Sequence, residues 1–88
     1  MVMFMKNKDI KKILGENVRF YRYANKFTQE KLAEKCDLSP RYVSDIENGN
    51  GNISIETLAK LSETLKVSAP KLIEKQNIKP LPQRVNMK

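Results

Sequence analysis

The feature that most restricts the fold of this chain is its punctuation. Short hydroxyl side chains stand at Thr28, Ser39, Ser54 and Ser68, each directly ahead of a run with helical character. Such a side chain accepts a hydrogen bond from a free N–H of the first helical turn, so each is read as an N-cap. The runs they open are short. From Asp9 to Tyr23 the apolar residues Ile10, Ile13, Leu14, Val18 and Tyr21 recur at helical spacing, until "NKF" ends the run. Thr28 opens "QEKLAEKC", with Leu32, Ala33 and Cys36 as its inner stripe. Lys31 holds the third helical position, so no capping box forms there. Ser39 opens the next helix, and Pro40 stands at its first position, where a missing N–H costs nothing. Val43 and Ile46 are its inward residues.

"NGNGN" at 48–52 stops that helix with two glycines that can take φ > 0. Ser54 opens a helix with Ile55, Leu58, Leu61 and Leu65 inward, and Ser68 a last short one with Leu72 and Ile73 inward. No segment alternates with the period of a strand. These elements predict an all-α, compact five-helix bundle. With 88 residues, 40% of them apolar, there is material for one modest core. Residues 1–8 are read as an N-terminal extension, 9–75 as the domain, and 76–88, "QNIKPLPQRVNMK", as a flexible basic tail. Helix two is expected at about 28–36 and helix three at about 39–48.

Charge narrows the partner. There are 17 Lys+Arg against 10 Asp+Glu, a net charge of +7, which favours an anionic partner such as nucleic acid. The excess lies at the ends of the chain: residues 1–27 hold seven bases and two acids, and residues 68–88 five bases and one acid. Residues 28–48 hold three bases and five acids, 3 − 5 = −2. Cys36 stands alone, so an internal disulfide is ruled out and a cytoplasmic location is expected. No stretch approaches the roughly 20 apolar residues of a membrane span. There is no histidine, no cysteine pair and no phosphate-cradling glycine loop, so neither an enzyme nor a bound cofactor or metal is expected.

Residues 18–73 resemble the Cro/repressor-type helix-turn-helix domains. The resemblance is carried by "TQEKLA", by "V-x-x-I-E-N-G" closing the third helix, by "S-I-E-T-L-A-K-L" and by "L-K-V-S". It implies a sequence-specific transcriptional regulator, a repressor that binds a palindromic operator on double-stranded DNA as a homodimer. The third helix would enter the major groove, behind the second. At about 100° per residue, Arg41, Ser44, Asp45 and Asn48 share one face of that helix, opposite Val43 and Ile46. The resemblance puts Pro40, Arg41, Ser44 and Asp45 at base-reading positions, and Gln29, Ser39, Tyr42 and Asn48 near the DNA backbone. Arg41 would fork onto a guanine and Asp45 would accept from a cytosine amino group. Arg22 and Glu47 match a family pair that meets across the bundle as a buried ion pair.

Three departures from the pattern carry expectations of their own. Lys26, Asp37 and Lys66 stand where the family commonly has a helix-ending glycine. The loop after helix three, Asn50-Gly51, lacks the usual cations, and Lys6, Lys8, Lys11, Lys12 and the tail are candidates to replace them. Phe20 and Tyr23 fall at usually polar positions. They, or the tail, would offer a surface to a protein partner, and so define the alternative reading: an antitoxin or other interaction module on the same fold.

Overall fold

Among the described residues, the fold is set by which faces of five helices meet. A computed structural model describes residues 6–75, so the tail at 76–88 and most of the N-terminal extension lie outside the described residues. The helices are α1 (Asn7–Ala24), α2 (Gln29–Cys36), α3 (Pro40–Glu47), α4 (Ile55–Leu65) and α5 (Ala69–Ile73). None of them is long and apolar enough to cross a membrane. Leu14 and Val18 of α1, Leu32, Ala33 and Cys36 of α2, Val43 and Ile46 of α3, Leu61 and Leu65 of α4 and Leu72 of α5 form one buried core.

The expected caps form in three of four cases. Thr28, Ser39 and Ser54 accept from the backbone N–H of Lys31, Tyr42 and Thr57, whereas Ser68 makes no such bond. The last helix is anchored differently. Buried Asn17 of α1 points its amide at the carbonyls of Lys71, Leu72 and Glu74, at 3.2, 2.9 and 3.0 Å. Asn25 does the same for α4, donating to Leu65 O at 3.1 Å. Both side chains satisfy carbonyls that a helix end leaves without partners.

Lys26, Asp37 and Lys66 all adopt left-handed backbone, at φ of 61°, 57° and 60°. Glycine takes this conformation without penalty, so each of the three stores strain. The two glycines after α3 differ in purpose. Gly49 takes φ +84°, but Gly51 lies outside that region, and a Cβ on it would come within 2.6 Å of the Ile46 side chain. Gly15, to which the sequence attaches no role, permits a close approach of α1 to the end of α3. A Cβ there would fall 2.4 Å from Ile46 O and 2.7 Å from Glu47 O. Its absence lets α1 rest directly on the end of α3.

Two inward assignments fail. Ile55 is 81% exposed and Ile73 40%, and Ile10 on α1 is 38% exposed. Helical spacing identifies an apolar stripe but not how far neighbouring helices cover it. These residues line one shallow groove, together with Leu14, Ile53 and Leu58.

Candidate nucleic-acid interface

Helix α3 has two chemically distinct sides. Val43 and Ile46 are fully buried. Pro40, Arg41 and Asn48 are exposed, and Ser44 and Asp45 half-buried. The Arg41 side chain is 87% exposed, and its Nε lies 3.6 Å from Asp45 Oδ1, one turn further along. That is an ion pair but longer than a good hydrogen bond, so the guanidinium edge stays free to take another acceptor.

The inner side of α3 ends on a polar hub. The Glu47 side chain is fully shielded from solvent. Its Oε2 accepts from Arg22 Nε at 2.5 Å and its Oε1 from Arg22 Nη2 at 3.0 Å. Arg22 also donates to Phe27 O at 2.9 Å and lies over the Tyr23 ring at 4.7 Å. Gln29, the first residue of α2, donates to Glu47 Oε1 at 3.0 Å, and Arg19 Nε approaches the same oxygen at 3.4 Å. One carboxylate therefore gathers donors from α1 and α2 onto the end of α3. Every buried side-chain polar atom among the described residues has a partner.

Several sequence candidates thus have structural duties. Gln29 spends an amide hydrogen on Glu47. Ser39 uses an oxygen lone pair as the cap of α3. The Tyr42 hydroxyl donates to Asn52 O at 2.5 Å, which pins the loop between α3 and α4. A hydroxyl with its proton so engaged is a poor phosphate donor. Asn48 accepts from Arg19 Nη2 at 3.3 Å. Arg19 escaped the reading of the sequence, although it stands three residues before Arg22 and shares its helical face. Lys12 adjoins the loop after α3: a Cβ on Gly49 would sit 3.4 Å from its Cα. Phe20 and Tyr23 are half-buried, with Phe20 edge-on to Tyr21 at a ring-centre separation of 5.2 Å.

The arrangement is a small frame that presents a helix polar on its outer side, with the exposed Arg41 guanidinium on that side. Residues 18–72 match the profile of a helix-turn-helix family. A control protein from Serratia marcescens, C.SmaI, is 44% identical over 71 residues, which cover 81% of this chain and 84% of that protein. Among solved structures, the restriction-modification controller protein C.AhdI from Aeromonas hydrophila superposes with a TM-score of 0.67 at 31% identity. The match covers 70% of this chain and 94% of that one. SinR, a master regulator for biofilm formation, has been solved in complex with DNA. It matches with a TM-score of 0.65 at 35% identity, over 69% of this chain and 98% of that one.

Proposed function

This chain belongs to the helix-turn-helix family, and on that premise we propose that it is a DNA-binding transcription regulator, a repressor that binds a palindromic operator as a homodimer. The observation that carries the reading is α3 itself, buried along Val43 and Ile46 and open along Pro40, Arg41 and Asn48. A helix held in this way fits a major groove about 12 Å wide. Arg41, Pro40, Ser44 and Asp45 meet base edges, with Arg41 forking onto guanine O6 and N7. Gln29, Ser39 and Asn48 lie toward the sugar–phosphate walls, and Tyr42 shapes the loop beside them. Lys8, Lys11 and Lys12, at the start of α1, supply charge near the loop after α3.

The dimer seam in this proposal is the groove around Ile10, Ile55 and Ile73. Each of these is a large apolar side chain open to solvent, and a two-fold contact would bury the same patch of both copies. Binding, rather than catalysis, is the activity, and the cytoplasm is where it acts.

Selection of bound sequences from a random duplex library tests the whole reading. The expected product is a palindrome whose half-site centres lie roughly one helical turn, about 34 Å, apart. A library that emerges without any enriched sequence would refute it. The kinship with controller proteins makes the DNA next to a restriction–modification unit the first natural sequence to try.

A further inference from the structure

A DNA-binding helix pair needs cations for the phosphates that wall the groove, and this pair is short of them. Residues 28–48 carry a balance of 3 − 5 = −2, and Arg41 already leans toward Asp45. The loop at 49–51 is Gly-Asn-Gly. The charge must arrive from another element: Lys12 of α1 stands beside the loop after α3, and Arg19 of α1, unlike the buried Arg22, reaches the exposed end of α3 by bonding to Asn48 as well as Glu47.

Three observations define its role. First, Glu47 does not need Arg19 for neutralisation, because Arg22 meets both carboxylate oxygens from inside, with its side chain only 7% exposed. Arg19 therefore adds a surplus positive charge to the hub. Secondly, Arg19 is held from two sides, by Glu47 Oε1 through Nε and by Asn48 Oδ1 through Nη2. Asn48 is the exposed last member of the outward Arg41–Asp45–Asn48 stripe, so this guanidinium is fixed at the rim of the reading face. Thirdly, the Arg19 side chain is 36% exposed, and a guanidinium carries more N–H donors than these two contacts use.

We propose that Arg19 is a phosphate clamp, pre-oriented by Glu47 and Asn48, that replaces the cations missing from the loop after α3. The clamp rests on the reading that α3 enters the groove. It positions the protein and reads no base, because phosphates carry no sequence. Its orientation comes from the carboxylate that also joins α1 to α3, so the grip on the backbone is tied to the placement of the reading helix.

The test compares wild type, Arg19→Gln and Arg19→Lys on the selected duplex and a scrambled one, by fluorescence anisotropy over a salt series. Urea unfolding of each is run alongside. Arg19→Gln should weaken both duplexes by a similar factor, roughly tenfold or more per protomer at low salt, as for one charge-assisted hydrogen bond lost from each. Its salt slope should fall by about one unit per protomer, so by about two for the dimer on its palindrome, while Arg19→Lys keeps the slope near wild type. Its unfolding midpoint should stay close to wild type, since Glu47 retains Arg22 and Gln29. An unchanged slope in Arg19→Gln, with wild type binding selectively, overturns the clamp and leaves the reading by α3 intact. A large loss of folding stability assigns Arg19 to the bundle's interior and also overturns the clamp. If wild type prefers no duplex, the reading by α3 and the clamp fall together.

Discussion

Removing one partner of the Arg22–Glu47 pair should be among the most damaging changes available to this domain, and the two removals should not be equal. Breaking a buried ion pair generally costs about 3–5 kcal/mol, because the remaining charge is left in a medium that solvates it poorly. In Arg22→Met the stranded carboxylate still has Gln29 at 3.0 Å and Arg19 at 3.4 Å, so the loss should fall near the lower end. In Glu47→Leu the stranded guanidinium has only Phe27 O at 2.9 Å and the face of Tyr23, and the loss should approach the upper end. A domain of this size has about 4–13 kcal/mol in total, so either variant stands close to unfolding. The double variant Arg22→Met/Glu47→Leu removes both charges together and should be more stable than Glu47→Leu alone. Urea unfolding followed by circular dichroism measures all three. With a slope of about 1 kcal/mol per molar, a loss of about 3 kcal/mol moves the midpoint by about 3 M. If each single variant lies within about 1 kcal/mol of wild type, or the double loss equals the sum, Arg22 and Glu47 do not act as a coupled buried pair.

The other predictions concern binding, assembly and strain. Arg41→Ala should cost about 1–3 kcal/mol per half-site on the cognate duplex and relax the preference at one base-pair position in each. Equal losses on cognate and scrambled duplexes would show that Arg41 does not read. Ile55→Lys should shift sedimentation toward the monomer and reduce operator affinity, with little change in the unfolding midpoint of the monomer, because the side chain is 81% exposed. A dimer that persists in this variant removes the seam from that groove. Lys66→Gly should raise stability by up to about 1 kcal/mol by releasing its left-handed strain, read as a higher unfolding midpoint. Asp37→Gly should gain less, since aspartate tolerates that region better than lysine.

Much of the frame was legible because its signals are local. The hydroxyl caps and Pro40 bound α2, α3 and α4 to within a residue, and α1 extends past the Asp9–Tyr23 run by two residues at its start and one, Ala24, at its end. The misreadings share a cause. Whether Ile55 and Ile73 are covered depends on where other helices lie, and no period in a sequence encodes that. Gly15 reads as a weak helix former until the carbonyls of Ile46 and Glu47 are found where its Cβ would be. Asn17 looks like a surface residue until α5 arrives above it. For the site, the exposed face of α3 was legible from spacing alone. The pairing of Arg22 with Glu47 came instead from family resemblance, because a buried charge cannot be told from a solvated one in a row of letters. Arg19 was passed over for the same reason.

The separation of the two sides of α3 also bears on how such a protein changes over time. Arg41 makes its one ion pair with a residue of its own helix, and Pro40 is exposed beside it. Nothing in the core rests on the identity of either side chain. Mutations at these positions can therefore accumulate with little burden on folding, and a duplicated gene could acquire a new operator before losing its shape. Glu47, two residues beyond Asp45, has no such freedom, since a change there disturbs three helices at once. A lineage of these proteins should thus diverge quickly in the letters it reads and slowly in the residues that hold the reader in place.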